Sequence, residues 1–290
     1  MSIVGVVSEL ALVVAIMLVS ATLVVVGSRR LAAALGDIRW RFKACTMPLI
    51  ALVIVLLIRW STVDILTHLE RRVLQNNITF TLFELEELLF PANPVVVLQA
   101  FQSPLLTDFF VFIYIYGYAF LLLFPFIAYF VLDDMADLRA LILAFTANYG
   151  IGLICYVFFI AYGPRNLNPD LFEGLLYTAF PESRTLTNRV NQNTNVFPSL
   201  HTSLSMTVFF FAWITRRKYP VWVVLSGALA LSVALSTMYL GIHWFSDVVA
   251  GTILALLSVY IGYNRTLRTI PNTVYVYLTA QFDRIDRAND

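Results

Sequence analysis

Charge is what this chain has least of. Asp, Glu, Lys and Arg make up 13% of its 290 residues, against about 25% in a soluble domain. Hydrophobic residues make up 60%, which excludes an ordinary water-soluble globule and points to a polytopic membrane protein. The charges nearly cancel, with a net of +1, so bulk electrostatics give no reason to expect a nucleic-acid partner. Cysteine is scarce as well. Cys45 and Cys155 both lie in apolar runs, where they read as small buried hydrophobes rather than a disulfide framework. No internal repeat and no low-complexity tract is present. The first apolar run lacks a basic stretch before it and a small-residue cleavage site after it. Residues 3–27 are therefore expected to be a retained membrane helix rather than a signal peptide.

Long apolar runs are what the chain has instead. A crossing helix needs about 20 residues, and stretches of that order fall near 3–27, 109–132, 138–162 and 220–241. Three shorter or partly polar runs, 45–60, 199–215 and 246–263, bring the expected number of spans to six or seven. The segment at 45–60 contains Pro48 and is the weakest of them. The expected fold is all-α: a transmembrane helix bundle, because a lipid-exposed backbone must satisfy its own hydrogen bonds. Basic residues set the orientation. Arg29, Arg30, Arg39, Arg41 and Lys43 mark the first loop as cytoplasmic, and threading seven spans puts Arg216, Arg217 and Lys218 on that side too, with Arg265 and Arg268. The C-terminus is thus expected inside and the loop after residue 162 outside.

Histidine is scarce too, with three in all, and two fall where apolar runs meet polar loops. These are His201, in Phe197-Pro198-Ser199-Leu200-His201, and His243, in the stretch from Ser236 to Asp247. An ionisable residue at a membrane helix end is a functional candidate by default. Asp247 follows His243 by four residues, which places the two on one face of a helix. Imidazole held by a carboxylate suits nucleophilic or acid–base chemistry. Both histidines are expected on the same, extracytoplasmic, side. The outward loop 163–198 carries Arg165 after Gly163-Pro164, then Arg184 and Arg189. A guanidinium there suits a phosphate group, or simply reaches for lipid headgroups. Ser199 is placed to cap a helix whose N-terminus faces the same region, and such an end binds anions. Arginine, helix end and two imidazoles together suggest displacement at phosphorus. His201, His243 and Asp247 are also a conceivable zinc or iron set, but an arginine-rich loop repels a cation.

The remaining segment, 61–108, is mixed. Leu82, Phe83, Leu85, Leu88, Leu89 and Phe90 interleave with Glu84, Glu86 and Glu87 before Pro91 and Pro94. That pattern predicts an interfacial amphipathic helix, either packed on the bundle or serving as a lid. Three regions follow: N-terminal spans and an interfacial segment at 1–108, a catalytic core at 109–265 and a polar tail at 266–290.

Pro198-Ser199-Leu200-His201 and Ser236, His243 and Asp247 resemble motifs of the type-2 phosphatidic acid phosphatase superfamily, written P-S-G-H and S-R-x5-H-x3-D. Leu200 stands for glycine and Thr237 for arginine. Gly163-Pro164-Arg165 resembles a degraded form of the first motif, K-x6-R-P, with no lysine at the expected place. The likeness covers roughly residues 109–263. Threonine at 237 is also similar to the inositol phosphorylceramide synthase branch, which transfers phosphoinositol to ceramide. The resemblance implies a metal-independent enzyme without cofactor. It makes His243 a nucleophile that forms a phosphohistidine and Asp247 its orienting carboxylate. His201 is then the acid for the leaving group and the base for the incoming one, while Arg165, Ser199 and Ser236 hold phosphate oxygens. The substrate would be a lipid phosphate or phospholipid, and the acceptor either water or a lipid alcohol. A non-catalytic lipid-binding or transport protein is the reading from a different class.

Overall fold

A computed structural model describes residues 3–69, 77–181 and 196–264. Twelve helices are described. They are α1 (Ile3–Ala21), extended by a π turn over Thr22–Val26, then α2 (Ser28–Gly36), α3 (Ile38–Leu69), α4 (Thr79–Leu89) and α5 (Pro94–Gln99). Next come α6 (Pro104–Phe130, with a π turn at Ile113–Gly117), α7 (Ala136–Phe158), α8 (Pro164–Leu167) and α9 (Leu175–Ala179). The last three are α10 (Leu200–Ile214), α11 (Pro220–Tyr239) and α12 (Phe245–Tyr263). Among the described residues there is no strand, only an isolated bridge between Asn77 and Ile160. Proline sits at the start of α5, α6, α8 and α11, where its missing N–H costs nothing and its fixed φ suits the first turn.

Among the described residues six helices are long and apolar enough to cross a membrane, within α1, α3, α6, α7, α11 and α12, and α10 is a shorter apolar helix. The protein is an integral membrane protein. The run at 45–60 is part of a longer helix, since α3 takes Arg39, Arg41 and Lys43 into its first turns and carries Pro48 inside. Arg41 is buried there because its guanidinium donates to the carbonyls of Phe130 and Leu132 at 2.7 and 2.5 Å. Hydropathy alone cannot show such a partner, so the sequence placed the helix start too late.

α10 packs on α7, α11 and α12, and α3 and α12 both pack on α7. Small residues permit this closeness. A Cβ at Gly251 of α12 would lie 2.5 Å from the Ser199 carbonyl oxygen, and one at Gly262 would lie 2.4 Å from that of Ala140. Phe120, Phe124, Tyr129, Phe211 and Trp222 fill the core below. Inside it, Asn148 bridges Ser203 and Thr207 at 2.8 and 3.1 Å. The outward faces of α1 and α3 remain apolar and exposed, as at Leu12, Ile16, Val53 and Leu57, which is the surface a lipid environment requires. At one end of the bundle the turns hold basic residues, and Lys218 pairs with Asp137. The opposite end gathers the start of α10, the end of α11 and the start of α12. Residues 182–195, with Arg184 and Arg189, and the tail from 265 onward lie outside the described residues.

Candidate active site

The α11–α12 turn is built to present His243. Leu240 closes α11, Gly241 takes φ 71°, which a side chain would resist, and the Thr237 carbonyl accepts from the amides of both Ile242 and His243 at 2.9 and 3.0 Å. Trp244 then starts α12. Its indole donates to the Tyr162 carbonyl at 2.8 Å, so the turn is pinned to the chain leading into α8. Gly163 touches the same turn so closely that a Cβ would lie 2.2 Å from the Ile242 carbonyl oxygen. Arg165 is delivered to the turn by this contact, and its amide donates to the Gly241 carbonyl at 3.3 Å.

His243 is 3% exposed and Asp247 is fully buried. His243 Nδ1 lies 3.3 Å from Asp247 Oδ2, and the same oxygen accepts from the Trp244 amide at 2.9 Å. The carboxylate therefore caps its own helix and orients the imidazole at once. With Nδ1 engaged, Nε2 is left as the nitrogen for chemistry. Burial, then the Arg165 charge, push the His243 imidazole down to about 3. It is held neutral.

His201, in the first turn of α10, faces His243 with 6.2 Å between ring centroids. Tyr114 and Tyr118 of α6 flank it, each at 4.6 Å. Ser199 caps α10, with its Oγ accepting from the Thr202 amide at 3.3 Å, and its own amide donates to the Asp247 carbonyl at 3.1 Å. That bond ties the helix carrying His201 directly to the helix carrying Asp247. Arg165 stacks over the Tyr177 ring at 4.7 Å and donates from Nη2 to its hydroxyl at 3.1 Å. Its Nε and Nη1 are buried without a hydrogen-bond partner. Unpaired buried donors are expensive, and an anion would satisfy them. Ser236 is buried one turn before the end of α11, and its hydroxyl donates to the Val233 carbonyl at 2.7 Å.

Three contributors escaped the sequence reading. Arg59 of α3 stands over the Tyr149 and Tyr156 rings, at 5.5 and 6.0 Å, and its charge acts on His201. An arginine inside an apolar run was the available signal. Glu86 of α4 is fully buried against the start of α12. Gln99 of α5 donates to the Glu173 and Tyr239 carbonyls at 2.8 and 3.0 Å and accepts from the Glu173 amide at 3.0 Å. No motif marks either of them.

Fold and site together define a helical membrane protein with a paired imidazole and carboxylate opposite a second imidazole and an unfilled guanidinium. Residues 78–261 match the PAP2 superfamily, well over half of the chain, and the protein belongs to that superfamily. No curated protein and no solved structure matches it.

Proposed function

We propose that the protein is a metal-independent membrane enzyme that cleaves or transfers a lipid-linked phosphoryl group through His243, at the extracytoplasmic face. The observation that carries this reading is the His243–Asp247 pair facing His201 across 6.2 Å, with two donors of Arg165 unfilled beside it. Membership of the PAP2 superfamily supports phosphatase or phosphotransferase chemistry on a lipid substrate. In the first step His243 Nε2 attacks phosphorus and the bond from phosphorus to the leaving oxygen breaks. His201, charged once the anionic phosphate is bound beside it, gives that oxygen its proton, and a phosphohistidine or its phosphodiester equivalent remains. In the second step His201 takes a proton from water or a lipid alcohol, the new oxygen attacks phosphorus, and the bond to His243 breaks. Asp247 supports the charge that grows on the imidazole. Arg165, Ser199 and Ser236 are assigned to the phosphate oxygens, where fixed donors stabilise developing charge.

One observation favours transfer, in the manner of inositol phosphorylceramide synthase, over hydrolysis. Thr237 is buried and its hydroxyl donates to the Ala234 carbonyl at 2.7 Å, so this position adds no positive charge. A phosphodiester carries less charge than a phosphomonoester and matches such a pocket better.

The test uses purified protein in excess chelator with phosphatidic acid, polyprenyl diphosphate and phosphatidylinositol, with and without a lipid alcohol. Inorganic phosphate released without acceptor identifies a phosphatase. A headgroup moved only when acceptor is present identifies a transferase. His243→Ala is expected to reduce either turnover by roughly 10³-fold or more. Turnover surviving that substitution overturns the assignment, and turnover abolished by chelator overturns metal independence.

A further inference from the structure

Trp244 occupies the N-cap of α12, and its side chain offers the helix no acceptor. The exposed amides of a helix start must still be satisfied. Asp247 takes the Trp244 amide from within the helix. The Ser246 amide is taken from outside, by Glu86 Oε1 at 2.7 Å, and the Ser246 hydroxyl donates to the same oxygen at 2.9 Å. Glu86 is 0% exposed, and burial pushes its carboxyl up from the usual range. Burying a carboxylate is costly unless its bonds are specific, and these are. The second oxygen, Oε2, accepts from Asn93 Nδ2 at 3.1 Å, while Asn93 Oδ1 accepts from the Val95 amide at 3.0 Å and so caps α5. At the far end of α5, Gln99 grips the Tyr239 carbonyl and the backbone of Glu173. Apolar contacts run beside this polar chain, with Phe83 against Trp244 at 5.9 Å and Phe90 against Phe245 at 5.2 Å.

We propose that Glu86 is a positioning residue for the reaction: through Ser246 it fixes the first turn of α12, from which Asp247 holds His243. Ser246 lies between those two residues in sequence, and Asp247 Oδ2 serves His243 and Trp244 together, so any rotation of this turn misaligns the imidazole. The segment 79–99 is thus a brace rather than a moving cover. The inference rests on His243 being the nucleophile.

Glu86→Gln removes the charge and sets an amide NH2 against that of Asn93. It is expected to lower kcat by on the order of 10- to 100-fold, the scale of a small misplacement in a reacting site, with KM within about twofold of the parent. Glu86→Gln combined with Asn93→Asp restores a donor facing an acceptor and is expected to recover at least about tenfold of the loss. Parental kcat in Glu86→Gln, or a folded double variant with no recovery, overturns the inference. If the single variant does not fold, the folded double variant decides by its kcat: within about tenfold of the parent supports the inference, and a larger loss overturns it. His243→Ala separates the two claims. Should it keep turnover, the reading of the nucleophile fails. Should it lose turnover while Glu86→Gln does not, only the role of Glu86 fails.

Discussion

A nucleophilic imidazole has to be neutral before substrate arrives, and at the proposed site burial arranges this for His243. An exposed imidazole has a pKa near 6.5 and would be largely charged at pH 5.5. His243, buried beside Arg165 and pushed down to about 3, stays neutral there. The acid limb of kcat/KM is therefore expected well below pH 6.5, and a limb centred near 6.5 would contradict this nucleophile environment. The linkage sign follows from the same shift. Between about 3 and 6.5 the unfolded chain binds a proton that the folded protein refuses, so stability falls as pH drops through that window. Above about 6.5 the group contributes no slope. Denaturation midpoints measured from pH 7 to 4.5 should fall less steeply in His243→Gln than in the parent. The residues behind this behaviour were legible in part. His201, His243 and Asp247 stood out because they are ionisable, rare and regularly spaced. Glu86 did not, because Glu84, Glu86 and Glu87 form one polar stretch, and only the packing partner reveals that Glu86 alone of them is buried.

At the scale of elements, the site depends on how closely α10 and α12 approach. The amide of Ser199 meets the carbonyl of Asp247 at 3.1 Å, a contact possible only because Gly251 leaves room one turn further along α12. Gly251→Ala would gain helix propensity worth up to about 1 kcal/mol. It would also place a Cβ 2.5 Å from the Ser199 carbonyl oxygen, 3.3 Å from the Ser203 amide and 3.3 Å from Thr202 Cβ. Overpacking against backbone costs typically about 1–3 kcal/mol, so the clash is expected to win. Gly150→Ala is the control, since nothing lies within 4 Å of its Cβ position. The expected outcome is a lower unfolding midpoint and lower kcat for Gly251→Ala, with parental activity and an equal or higher midpoint for Gly150→Ala. Equal behaviour of the two would remove the role assigned to this contact. The helices themselves were readable from hydropathy because lipid leaves the backbone few choices. Their ends were less so. α3 begins before the apolar run, where one early charge, Arg41, finds carbonyl partners at the end of α6 and just beyond. The amphipathic pattern of α4 predicted a helix correctly but could not distinguish a cover from a brace. That difference lies in which elements touch Glu86 and Gln99.

For the whole molecule, two ends of unlike chemistry bear on orientation. One end carries Arg29, Arg30, Arg39, Arg41, Lys43, Arg216, Arg217 and Lys218 in or beside its turns. The other carries His201, His243 and Arg165, together with the exposed loop around Asp170. Basic residues near span ends are retained in the cytoplasm, so the proposed site should open outward, toward substrates in the outer leaflet. The two native cysteines do not obstruct a direct test, being buried at Cys45 and half-buried at Cys155, and both can be replaced by alanine. In that background a cysteine at Asp170 is expected to react with a membrane-impermeant maleimide applied to intact cells, and one at Arg217 only after permeabilisation. The reverse pattern would turn the site toward the cytoplasm and require its lipid substrate in the inner leaflet. The chemistry proposed for His243 would be unaffected by that reversal, because the distances among His243, Asp247 and His201 belong to the bundle and not to its orientation. Labelling and turnover are therefore independent measurements: one fixes which leaflet supplies the lipid, the other what is done to it.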